Sequence, residues 1–168
     1  MSDIRTGVYL VLEMILRVMI HPRLRARLLK CLGARVGENV RIYDVRFINL
    51  SSGFSNLCLE RDVHIGTDCL IDLQGPVTIG QGSVLAPRVV VMSHSDPGSS
   101  HGAPLCNRHP PEANGVVVGR DCWLGAGAIV LSGSIIGDEV TLGAGALARG
   151  VLRSGKVYVG VPARELAS

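Results

Sequence analysis

From Val118 onward the chain falls into sixes: VGRDCW, LGAGAI, VLSGSI, IGDEVT and LGAGAL. The first position of each is aliphatic (Val118, Leu124, Val130, Ile136, Leu142) and the second is glycine in all but one. The fifth is small or compact: Cys122, Ala128, Ser134, Val140 and Ala146. The same phase recurs upstream, at Ile65 and Ile71 and again at Ile79, Leu85 and Val91, with two extra residues around Gln74 and Gly75 between the runs. Val36 and Ile42 form a first, imperfect rung. One short strand per hexad, with three hexads to a coil, predicts an all-β solenoid: a parallel β-helix of triangular section. The aliphatic positions stack inside the prism, the small ones sit near its corners, and glycine is expected where the backbone turns tightly.

The pattern fails in two places. Residues 7–20, GVYLVLEMILRVMI, read as a helix, with Glu13 and Arg17 at i,i+4 spacing. The apolar run is shorter than the roughly 20 residues that span a bilayer. Pro22 ends it, and PRLRARLLKCLG reads as a second, basic amphipathic helix stopping at Gly33. The chain thus divides into a helical segment, 1–34, and a β-helix domain, 35–168. The second break is a loop extruded from that domain, 92–117. Its sequence begins MSHSDPGSSHGAPLCNRHPPEANG and holds four prolines, three histidines and no long apolar run.

Composition sharpens this picture. Hydrophobic residues are 47% of the chain but aromatics only 4%, as expected of a narrow interior filled by short aliphatic side chains with no room for rings. The net charge of +3 is unevenly placed. Between Arg17 and Arg35 lie Arg23, Arg25, Arg27 and Lys30, and no acid, so the positive field belongs to the helical segment. Two roles for that segment are open. The helices cap the prism or pack at a subunit contact, or residues 7–35 form a peripheral foot on anionic lipid. Aromatics are not interleaved with the cations, so nothing points to nucleic acid. Five cysteines (Cys31, Cys58, Cys69, Cys106, Cys122) lack CxxC spacing and no cleavable leader is visible. Reduced thiols in a cytoplasmic protein are expected, with possible attachment at the inner membrane face.

Three stretches carry a family resemblance: PVTIGQGSVLAPRVVVMSH (76–94), VVVGRDCWLGAGAIVLSGSIIGDEVTLGAGALARG (116–150) and YVGVPAR (158–164). Over residues 36–168 the chain resembles the hexapeptide-repeat acyltransferases. The nearest group is the maltose, galactoside and polysaccharide-biosynthesis O-acetyltransferases. The resemblance implies a left-handed β-helix, a homotrimer with active sites between adjacent prisms, acetyl-CoA as co-substrate, no metal, and a sugar or glycan acceptor. His94 matches the family's catalytic histidine at the end of a strand, where it would act as general base on the acceptor hydroxyl. Imidazole suits that task, with an unperturbed pKa of about 6.5.

By the same resemblance, Ala126 and Ala144 match positions that contact acetyl-CoA. Arg149 and Arg164 match basic positions suited to its phosphates. Trp123 matches a tryptophan that could wall the thioester end or simply pack a corner. Asp68 stands where sugar-acetylating members carry a substrate-positioning asparagine. Asp96 either touches substrate, holds the imidazole tautomer, or makes an Asp-Pro-Gly turn. Further departures from the family are Ser95 in place of a proline after the histidine and no lysine near Gly150. His101 and His109 have no motif behind them, and His64 is expected on the outer wall.

Other readings stay open. The chemistry could be N-acetylation of an amino sugar or O-acetylation of an antibiotic. A γ-class carbonic-anhydrase-like zinc site could draw on His64, His94 and His101, although the loop spacing does not resemble that family's. A bare β-helix could serve as a non-catalytic scaffold.

Overall fold

The computed structural model describes residues 2–167. Helix α1 (Ser2–Val18) and helix α2 (Pro22–Cys31) precede six coils of parallel β-helix. The first coil is β1 (Arg35–Val36), β2 (Arg41–Ile42) and β3 (Val45–Ile48). The second is β4 (Leu57–Leu59), β5 (His64–Ile65) and β6 (Cys69–Asp72), and the third is β7 (Val77–Ile79), β8 (Val84–Leu85) and β9 (Val90–Val91). After the loop come β10 (Val116–Val118), β11 (Trp123–Leu124) and β12 (Ile129–Val130), then β13 (Ser134–Ile136), β14 (Thr141–Leu142) and β15 (Leu147–Ala148). The last coil is β16 (Val151–Leu152) and β17 (Val157–Val159), against which β18 (Arg164–Glu165) turns back antiparallel. Stacked coils make three walls, of six, seven and five strands, and the prism is left-handed.

The hexad accounts for the core. Ile65, Ile79, Leu85, Val91, Leu124, Val130 and Leu142 point inward and are fully buried, and Val89, Ala128, Val140 and Ala146 fill the corners. Glycine at the second hexad position has a different cause from the one expected. None of these glycines has positive φ. A Cβ on Gly125 would lie 2.6 Å from the Ala144 backbone nitrogen, and one on Gly80 would lie 2.5 Å from the Gly119 carbonyl carbon. The next coil passes too close for any side chain. The left-handed turn falls two residues later, at Asp68, Gly82, Arg88, Asp121, Gly127, Glu139 and Gly145.

Aromatic rings do find room at the ends of the prism, with Tyr158 in the last coil and a cluster by the helices. Phe47 and Phe54 are buried, packed edge-to-face at 5.7 Å, and Tyr9 of α1 packs on Phe54 at 6.0 Å. No coil lies above this end, and α1 covers these rings instead.

The two helices cover the open edge of the first coil. Glu13 does not pair with Arg17. Its buried carboxylate accepts the Phe47 N–H of edge strand β3 at 3.2 Å, while Arg17 reaches Asp44 at 3.8 Å. Arg25 is buried and donates to the carbonyls of Leu16 (2.7 Å) and Ile42 (2.9 Å), and to those of Arg17 and Met19. One guanidinium therefore joins the end of α1, helix α2 and edge strand β2. Burial lowers the Arg25 pKa, partly offset by Asp44.

Candidate active site

The loop leaves the wall at the end of β9 and rejoins it at β10, two residues earlier than the first hexad match at Val118. Its neck is closed by backbone pairing: Gly115 N–H to Ser93 O at 3.0 Å, and a two-bond bridge between Ser95 and Glu112. Two short 3-10 turns, Ser99–His101 and Pro104–Asn107, order the outer part.

His94 stands at this neck. Its Nδ1 is 2.5 Å from Oδ2 of Asp72. Asp72 ends β6 one coil below and is completely buried. The same oxygen accepts the N–H groups of Ser93 (2.9 Å) and His94 (3.0 Å) and the Ser93 hydroxyl (2.9 Å). Its other oxygen accepts the Asn49 amide (2.8 Å) and the Gln74 N–H (3.2 Å). Burial alone would raise the Asp72 pKa; the bonds from His94, Asn49, Gln74 and Ser93 outweigh it and hold the carboxyl below its ordinary value. An ionised carboxylate only accepts. In the neutral ring Nδ1 therefore carries the proton and Nε2 keeps its lone pair.

The local sequence explains this scaffold. The two extra residues between hexad runs, Gln74 and Gly75, wrap Asp72 and meet the loop. Gly75 N–H donates to Ser93 Oγ at 2.8 Å, and a Cβ there would lie 2.8 Å from Ser93 O. On this wall the position after the inward residue holds Ile48, Met92, Leu131 and Arg149 in the other coils, so the acid at Asp72 is the exception. An acid at that position, followed directly by a phase slip, was the available signal for it.

His94 opens onto a cleft of about 720 Å³, shared with Met92, Asp96, Arg108, His109, Glu112 and Arg149 among others. Of the residues picked from sequence, the chain brings His94, Asp96 and Arg149 together here. The Asp96 carboxylate is engaged in its own turn, accepting from Gly98 N–H (2.8 Å), Ser99 N–H (2.7 Å) and the Ser99 hydroxyl (2.6 Å), which hold its pKa low. Arg108 and His109 join the lining from the loop, whereas His101 does not.

Other picks lie elsewhere on the chain. Asp68 is exposed at a left-handed corner beside Arg17, Asp44 and Arg46. Trp123 lies half-exposed on the outside of the second wall, between Val84 and Thr141. Ala126 and Ala144 are exposed on successive coils at one corner, where Gly145 N–H bonds Ala126 O at 2.9 Å. Arg164 is exposed on β18, bonded only to the neighbouring Ala163 carbonyl among the described residues. His64 sits on the outer wall against Tyr43, ring centroids 5.1 Å apart. Among the described residues no group of three or more His, Cys, Asp or Glu side chains could hold a metal ion.

Residues 115–150 match the family model described as bacterial transferase hexapeptide (six repeats). Over 94 residues the chain is 35% identical to WbbJ of Escherichia coli strain K12, assigned to lipopolysaccharide biosynthesis as an O-acetyl transferase. That match takes in 52% of this chain and 48% of WbbJ, so it spans about half of the relative's length. The hexapeptide-repeat acetyltransferase VCA0836 of Vibrio cholerae has a TM-score of 0.84 at 16% identity, over 99% of this chain and 92% of its own. A galactoside acetyltransferase solved with coenzyme A has a TM-score of 0.75 at 24% identity, over 99% of this chain and 81% of its own.

Proposed function

We propose that this hexapeptide-repeat β-helix protein is an acetyl-CoA-dependent O-acetyltransferase acting on a hydroxyl of a sugar or surface-glycan precursor. The observation that carries the reading is His94, held by the buried Asp72 carboxylate with Nε2 free, at a polar cleft on a transferase-type coil. The match to WbbJ supports an O-acetyl acceptor of the glycan class. Acceptor hydroxyl oxygen attacks the thioester carbonyl carbon as His94 Nε2 takes its proton. The tetrahedral adduct collapses, the C–S bond breaks, and the imidazolium returns the proton to the leaving sulfur. Asp72 stabilises the imidazolium between those steps, since a carboxylate at Nδ1 favours the protonated ring.

The co-substrate's pantetheine arm would follow Ala126 and Ala144, with Arg149 and Arg164 as candidate partners for its phosphates. Asp68 and Trp123 lie away from the His94 cleft within one chain. Their roles toward acceptor and thioester belong to a homotrimer in which the groove is completed by a neighbouring prism. Five unpaired cysteines suit a cytoplasmic setting.

The test is thiol release from acetyl-CoA against a panel of sugars and amino sugars, for wild type and His94→Ala. Acceptor-dependent release, reduced roughly 100- to 10,000-fold in the variant with coenzyme A binding intact, is the expected result. No binding of coenzyme A by either protein would leave a scaffold and overturn the reading. Release only with amino sugars would move the acceptor to an amine.

A further inference from the structure

Between Gly7 and Val18 the outer face of α1 carries no polar side chain. On a helical projection Leu10, Met14, Val18, Val11, Ile4, Ile15 and Val8 occupy one continuous arc, opposite the buried Leu16 and Glu13. All seven are about half exposed or more, from Ile15 at 46% to Val18 at 78%. Ile20, in the link to α2, is 95% exposed. Soluble surfaces seldom leave so large an apolar patch open.

Its surroundings are cationic. Arg5 and Arg17 flank the arc on either side. Helix α2 buries Arg25, Ala26 and Leu29, and turns Arg23, Arg27 and Lys30 the opposite way, together with Leu24. No acid occurs between Arg17 and Arg35. The helices pack on the first coil; Arg23 also donates to Asn39 of that coil at 3.3 Å, and Arg27 and Lys30 border the same groove as Glu38.

We propose that the outer faces of α1 and α2 together form a peripheral docking surface for an anionic lipid bilayer. Helix α1 lies in the plane of the headgroups with its apolar arc down. At 17 residues it is about 25 Å long, below the roughly 30 Å of a hydrocarbon core. No helix among the described residues is long and apolar enough to cross a membrane. An apolar face bordered by arginine and lysine is the pattern of a helix resting in the interface. The cluster of cations on α2 separates this surface from the other exposed apolar column, Val117, Ile135 and Val151 on the first wall, which runs in register through Thr78 and Cys58 and meets a single cation, Arg35, at its far end.

Vesicle flotation of the full chain tests this without any assay of activity, and so is independent of the proposed reaction. Wild type is expected to float with phosphatidylglycerol vesicles and to bind phosphatidylcholine vesicles far less. Val11→Glu with Ile15→Glu, both exposed, should abolish flotation while the melting temperature holds. Arg27→Gln with Lys30→Gln should weaken partitioning by roughly 30-fold, about fivefold for each cation. Wild type that stays with the soluble fraction would overturn the proposal. So would a drop in solution mass in the Val11→Glu, Ile15→Glu protein, which would make the arc a contact between copies.

Discussion

In the proposed mechanism Asp72 and His94 act as one unit, and their chemistry can be separated by a single atom. Asp72→Asn keeps the volume but replaces an acceptor oxygen with an amide that can donate to Nδ1. That favours the tautomer with the proton on Nε2, the wrong one for a base. We expect kcat to fall about 100-fold with KM for acetyl-CoA nearly unchanged, because Asp72 touches no substrate. A second readout comes from stability. A carboxyl whose folded pKa is lowered stabilises the fold fully above its unfolded value, near 3.9, and loses that contribution as pH falls through the folded value. The difference in stability between wild type and Asp72→Asn should therefore narrow as pH drops below about 4, measured by denaturant titration. His94 was picked from the sequence through its match to the family's histidine directly after the last strand before the loop, a resemblance that periodicity alone does not supply. Asp72 was not singled out: an acid directly before the phase slip marks it, but only the fold shows that this position lies under the loop neck.

At the scale of the strand and its corner, the hexad holds two separate demands. One is proximity, met by glycine at the second position. The other is backbone sign, met at the fourth. Periodicity exposed the first glycine and suggested a turn as its cause, since both demands favour the same residue; the coordinates assign them to different positions. The two respond oppositely to substitution. Gly125→Ala forces a methyl to 2.6 Å from the next coil and should cost roughly 1–3 kcal/mol. Glu139→Gly, at φ 57 on an exposed corner, relieves left-handed strain and should stabilise by about 1 kcal/mol. Thermal melts of the two variants, one lowered and one raised, check the assignment.

The whole molecule is a column whose two ends are closed by different means. At one end Glu13 and Arg25 occupy polar groups of the edge strands, and at the other β18 folds back along β17. The helices were readable from Pro22, Gly33 and the apolar run, but their docking was not. The i,i+4 spacing of Glu13 and Arg17 suggested a surface pair, whereas burial turned Glu13 toward β3. Among the sides of the column, the first wall carries exposed Val117, Ile135 and Val151 in register. In the proposed trimer this column packs against a neighbouring prism. Ile135→Glu is expected to yield monomers in sedimentation and to reduce acetyl transfer with them, since the groove would then lack its second wall. A trimeric Ile135→Glu protein would place the contact on another face.

The closed neck of the loop has an engineering consequence. Ser93 and Gly115 are joined by one hydrogen bond, and β10 stacks on β7 in unbroken register above it. The coil therefore counts Gly115 as the residue after Ser93, and the stretch between them hangs outside the load path. Stability resides in the column, while the pendant supplies the Asp96, Arg108 and His109 side of the cleft, so the two can diverge separately. Exchange of residues 95–112 between such proteins is a transplant that leaves the host's architecture, and its Asp72–His94 pair, as they were.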